Sequence, residues 1–80
     1  MYDIIFDVFA IKYLKKINKI LAKRIYDKII ESKNNPYRYF IHLTNCDKYK
    51  LRVGNYRVIA EIKQEKIFIL KIGHRHNIYD

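Results

Sequence analysis

Lys48, Lys50, Arg52 and Arg57 crowd into one short segment, and Arg75 stands between His74 and His76 near the end of the chain, with Tyr79 four residues on. These side chains suit work on phosphate. Arginine presents a rigid fork that matches phosphate oxygens, and cations held on a rigid surface can stabilise charge added in a transition state. Histidine moves protons near neutral pH. Tyrosine can donate a proton or stack on a base.

The segment around them reads as a hairpin. Lys48-Tyr49-Lys50-Leu51-Arg52-Val53 alternates basic and apolar residues, Gly54-Asn55 is a two-residue turn, and Tyr56 to Lys63 is the returning strand. With that loop, Val53 lies opposite Tyr56, Arg52 opposite Arg57, Lys50 opposite Ile59 and Lys48 opposite Glu61. Side chains alternate along a strand, so Lys48, Lys50, Arg52 and Arg57 share one face. Tyr49, Leu51, Val53, Tyr56, Val58, Ala60 and Ile62 share the other, the face expected under the helices. Two opposed arginines repel by about 0.2–1 kcal/mol. Either both splay into water, or an anion sits between them.

The elements that must position this hairpin follow from periodicity. Tyr2 to Phe6 reads as a first strand, and Asp7 suits a helix N-cap. Phe9, Tyr13, Leu14 and Ile17 recur at helical spacing and predict a helix over about residues 8–17. Asn18 can cap a second helix, in which Leu21, Ile25 and Ile29 form a row beside Ile20 and Ala22. Asn34-Asn35-Pro36 ends it. Residues 36–46 read as irregular. Gln64-Glu65 turns the chain, Lys66 to Ile72 is the last strand, and Gly73 ends it. A three-residue loop at Gln64-Glu65 would put Lys71 on the face of Arg57, whereas a two-residue loop would not. The order is β-α-α-β-β-β. The fold class is α+β, a helix hairpin on a mainly antiparallel four-stranded sheet, in a single domain over residues 1–80.

Composition narrows the partners. Seventeen Lys plus Arg against eight Asp plus Glu give a formal charge of +9. The charge favours a polyanion: nucleic acid, an acidic protein segment or an anionic membrane surface. No apolar run reaches the ~20 residues of a membrane span, and the N-terminus lacks a signal-peptide pattern, so a cytoplasmic protein is expected. Cys46, the only cysteine, cannot form an intramolecular disulfide and reads as a spare thiol. Two histidines around an arginine with no third ligand make a poor metal site, and neither a metal nor a cofactor is expected. Lys12, Lys15, Lys16, Lys19, Lys23, Arg24 and Lys28 read as solvated helix faces. Tyr37, Tyr39 and Phe40 read as packing over a helix end or as base-stacking rings, and His42 carries no readable signal.

Taken together, Asn35-Pro36, Tyr49-Lys50-Leu51-Arg52-Val53-Gly54-Asn55-Tyr56-Arg57-Val58-Ile59, Gly73-His74-Arg75 and Tyr79 resemble the RelE/ParE toxin superfamily over essentially the whole chain. The resemblance implies the β-α-α-β-β-β fold, similar to small microbial ribonucleases, and a toxin of a type II toxin-antitoxin system. For RelE-type members it implies ribosome-dependent cleavage of mRNA in the A site, beside ribosomal RNA. It further implies inhibition by a RelB-type antitoxin that wraps the toxin in a hetero-oligomer. The implied chemistry is attack of a ribose 2′-OH on the adjacent phosphate. By position, Lys48 and Lys50 resemble the hairpin lysines, one of them a general base, which needs a lowered pKa that neighbouring cations favour. Arg57 and Arg75 resemble the phosphate-stabilising arginines, Arg75 also the acid in some accounts, and Tyr79 the tyrosine that stacks on the substrate. Arg52, His74 and His76 are RNA-binding candidates, with the histidines in catalytic reserve. The tail is shorter than in familiar relatives and carries no C-terminal helix. Two alternatives share the resemblance: a ParE-like toxin that poisons DNA gyrase without cutting, and an inert member kept as a partner or corepressor.

Overall fold

The computed structural model describes residues 1–78. Strand β1 (Asp3–Phe6) leads through Asp7 into helix α1 (Val8–Lys16). The Asp7 carboxylate accepts from the backbone N–H of Phe9 at 3.0 Å, capping the first turn. Asn18 does the same for α2 (Lys19–Glu31), accepting from Ile20 at 2.8 Å. A 3₁₀ turn over Ser32–Asn34 finishes α2. Pro36, suited to the first position of a helix, opens the short α3 (Pro36–Tyr39).

The stretch expected to be irregular thus holds a helical turn, and then β2 (Ile41–His42), which pairs with β3 (Lys48–Val53). The sheet therefore has five strands rather than the expected four. Two residues are too few to show an alternating pattern, so β2 exists only through its pairing. Strands β4 (Tyr56–Lys63) and β5 (Lys66–His74) complete a sheet of order β1-β5-β4-β3-β2, parallel only between β1 and β5.

Both hairpin turns hold two residues. Gly54 has φ +57°, the left-handed region that a glycine enters without steric cost, and this fixes Val53 opposite Tyr56. Gln64 and Glu65 have φ +52° and +59° although neither is glycine, at a cost of about 1–2 kcal/mol each. Lys63 then pairs with Lys66.

Helix α1 packs on β5 and α2 on β3, covering one face of the sheet. Ile25 and Ile29 of α2 meet Leu51, Val58, Ala60, Ile67, Ile69 and Ile72 there, all buried. Each Ile, Leu or Val among them contributes about 1.5–3 kcal/mol of burial free energy. Phe40 is buried in the same core, Tyr39 packs against it, and Tyr37 stands between the rings of Tyr2 and Tyr49. Phe40 and Tyr39 thus pack into the fold, whereas Tyr37 stays 55% exposed. Six of the seven helix cations are exposed, and Lys28 is half-buried with its ammonium 5.4 Å from the Tyr39 ring. No helix among the described residues is long and apolar enough to cross a membrane.

Candidate functional site

The face of the sheet turned away from the helices carries the hairpin cations. Cross-strand partners share a face, and the register is the one the Gly54-Asn55 turn requires: Lys48 opposite Glu61, Lys50 opposite Ile59, Arg52 opposite Arg57. The row through Lys50 continues to β2, where Ile41 is its partner.

On the other side the row continues to β5 through an irregularity. From the turn outward the pairs run Lys63 with Lys66, Ile62 with Ile67, Glu61 with Phe68 and Ala60 with Ile69. Ile59 then pairs with Lys71, not Leu70. The chain bulges at Leu70, and every later residue of β5 changes face. Lys71 thereby joins Lys50 and Ile59 on the outer face, and Gly73 joins Arg52 and Arg57. Loop length alone therefore does not decide the placement of Lys71, because the loop has two residues and the bulge supplies the missing shift. Gly73 does not end the strand as expected. It pairs with Arg57, and β5 runs on to His74.

Lys71 is a site residue that loop counting missed. A signal was present: the buried positions of β5 run Ile67, Ile69, then Ile72, so the period of two slips once.

The cations on this face sit in different surroundings. Lys48 lies 3.3 Å from the Asp47 carboxylate and 3.5 Å from that of Glu61. The hydrogen bond and charge of Asp47, and then Glu61, hold the Lys48 ammonium above its ordinary pKa. That corrects the expectation of a lowered value there, because the nearby carboxylates outweigh the cost of desolvating the ammonium. Glu61 also meets Lys63 at 3.4 Å.

Arg57 is only 8% exposed. Its Nη1 donates to the carbonyl oxygens of Gly54 and Tyr56, each at 2.9 Å. Among the described residues no carboxylate forms an ion pair with Arg57, Arg52 or Lys71. A guanidinium drawn out of water and bonded, among the described residues, to neutral carbonyls retains a strong attraction for an anion.

The tail departs from a simple extension of the strand. Residues His74 to Ile78 form a turn in which the N–H groups of Asn77 and Ile78 both donate to the His74 carbonyl, at 2.9 and 3.0 Å. The Arg75 N–H donates to the Asn55 carbonyl at 2.8 Å, tying the tail to the β3–β4 turn, and the Arg75 side chain is exposed. His74 pairs with Tyr56 and so belongs to the helix-side face, opposite Arg57. Its ring meets Tyr56 edge-on at 5.5 Å and stacks on His76 at 5.0 Å. The site thus joins Lys50, Arg52, Arg57 and Lys71 on one face. It sets Lys48 among acids at the margin, carries Arg75 at the tail, and leaves His74 on the other side. Tyr79 lies outside the described residues. No group of three or more His, Cys, Asp or Glu side chains among the described residues could hold a metal.

The same arrangement of strands and helices recurs in known proteins. The toxin-antitoxin complex RelBE2 from Mycobacterium tuberculosis contains a chain that matches with a TM-score of 0.85 at 22% identity, over 92% of this chain and 98% of that one. The RelB-RelE antitoxin-toxin complex from Methanococcus jannaschii gives 0.76 at 29% identity, over 95% of both chains. The intact RelBE toxin-antitoxin complex of E. coli gives 0.77 at 23% identity, over 92% of this chain and 96% of that one. No curated protein sequence matches the chain. The model of the family described as the ParE toxin of type II toxin-antitoxin systems, parDE, matches residues 4–79. With that match across nearly its whole length and the RelE fold beneath it, the chain belongs to the ParE toxin family within the RelE/ParE superfamily, the toxins of type II toxin-antitoxin systems.

Proposed function

We propose that the protein is an endoribonuclease that cleaves mRNA on the ribosome and is held inactive by a RelB-type antitoxin. One observation carries the reading. Lys50, Arg52, Arg57 and Lys71 share one helix-free sheet face, and Arg57 is buried there without a carboxylate partner among the described residues.

In this mechanism the ribose 2′-oxygen attacks the adjacent phosphorus and loses its proton to a base. The bond from phosphorus to the 5′-oxygen breaks, and that oxygen takes a proton. The products are a 2′,3′-cyclic phosphate and a free 5′-OH, so the step needs no metal or redox partner. Arg57 and Lys71 hold the phosphate oxygens as charge builds on them, with Arg75 reaching in from the tail. One of the two hairpin lysines, Lys48 or Lys50, takes the 2′-OH proton, and the acids beside Lys48 hold that ammonium above its ordinary pKa. Tyr79 stacks on the substrate base.

A second reading is compatible with the same family match: a toxin that binds DNA gyrase and cuts no RNA. A single experiment separates the two. The protein is induced without antitoxin, mRNA 5′ ends are mapped and gyrase supercoiling is assayed in parallel. New 5′-OH ends that vanish with Arg57→Ala support the ribonuclease. DNA breakage with intact mRNA overturns it.

A further inference from the structure

Gly73 raises a question that its backbone does not answer. Gly54 is the glycine with positive φ, so Gly73 sits in a conformation open to any residue. What it lacks is room. A Cβ built there would lie 3.2 Å from Ile78 Cδ1 and 3.5 Å from Ile78 Cβ. Gly73 is the cross-strand partner of Arg57, so the missing side chain would stand on the outer face beside Arg57. Ile78 therefore occupies that place. It is 4% exposed, yet it stands apart from the core between sheet and helices.

We propose that Gly73 is a positioning residue: its bare Cα seats Ile78, and the seated isoleucine latches the tail against β5 at the residue paired with Arg57. Two further contacts make the latch one unit. Arg57 holds the β3–β4 turn from within through the Gly54 carbonyl, and the Arg75 N–H holds the next carbonyl, that of Asn55, from the tail side. Ile78, whose N–H closes the tail turn on the His74 carbonyl, rests on Gly73. The bulge at Leu70 is part of the device, since without it Gly73 would face the helices. The effect on activity rests on the ribonuclease reading above, but the latch itself does not.

The test moves one methyl group. Gly73→Ala adds a Cβ against Ile78, and Ile78→Val removes Cδ1, the atom it would meet first. Both variants and their combination are made in the full chain. Two quantities are followed, hydrogen exchange of the Arg75 amide and cleavage of mRNA. Gly73→Ala is expected to speed Arg75 exchange about ten-fold and to lower cleavage by a similar factor, while core amides such as that of Ile69 keep their protection. Adding Ile78→Val restores both, which a mere weakening of the strand would not permit. If the isoleucine absorbs the single methyl, Gly73→Val makes the larger intrusion. An Arg75 amide as protected in Gly73→Val as in the wild type overturns the latch. Faster exchange with undiminished cleavage overturns the positioning role and leaves the ribonuclease reading standing. A wild type that cleaves no mRNA removes that reading, while exchange still decides the latch.

Discussion

The outer face of the sheet has two ends that look alike in composition and differ in chemistry. At one end Lys48 and Lys63 share Glu61, and Asp47 adds a second acid to Lys48. At the other, Arg52, Arg57 and Lys71 have no ion pair among the described residues, and Arg57 is buried as well. Balanced charge is structural upholstery in water, where an exposed ion pair adds about 0–1 kcal/mol. Unbalanced charge on a rigid face attracts an external anion. The number of cations therefore matters less than the acids beside them.

That contrast orders the expected effects of substitution. Arg57→Ala should be the most damaging, lowering mRNA cleavage about a hundred-fold or more, as loss of one preorganised donor to a developing oxyanion does. A melting curve should show a folded protein. Arg57→Lys should restore little, because an ammonium cannot reproduce the fork. Cleavage within a few-fold of wild type in either variant would break the comparison at its strong end.

Lys71→Ala comes next, with about a ten-fold loss, the scale of one charge-assisted contact worth ~1.4 kcal/mol. Lys71→Glu should be worse, and RNA binding should fall less steeply with added salt in both. An inactive Lys71→Glu with normal melting would also verify the Leu70 bulge, since without it Lys71 would face the helices.

Lys48→Ala should cost less than Lys71→Ala, about three-fold at most, because Asp47 and Glu61 already engage the Lys48 ammonium. A loss as large as that of Lys71→Ala would show that the acids beside Lys48 do not set it apart.

The smallest effect is on stability against pH. Asp47 is held below its ordinary value of 3.8 by the hydrogen bond and charge of Lys48. Its contribution is present above that value and is lost as pH falls through the lowered pKa. Lys48 is raised above 10.5, so its contribution is full below that pH and disappears as pH rises through the folded value. Between these limits the pair should leave the melting temperature flat. Asp47→Asn should remove the acid-side loss that belongs to this pair, and an unchanged acid limb would show that the pair contributes nothing measurable.

Much of the fold was legible because local rules act over a few residues. Asp7 and Asn18 cap the helices as their side chains allow. The Gly54-Asn55 turn sets a register that places Lys48, Lys50, Arg52 and Arg57 together by parity alone. Other features had no local cause. Ile41 and His42 form a strand only because β3 offers an edge. Gln64 and Glu65 adopt left-handed conformations that neither prefers, and the pairing of β4 with β5 must hold them there.

The sequence by itself determined the basic hairpin, the two capped helices, the apolar face beneath them and the family. Those follow from side-chain type and spacing, which do not change with context. Only the tertiary structure decided which cations have acids beside them, that Lys71 joins Arg57, that His74 faces away, and that Ile78 rests on Gly73. The physical reason is strand parity. One inserted residue at Leu70 reverses the face of everything after it, and the long-range pairing that selects the bulge leaves only one slipped step in the pattern of isoleucines.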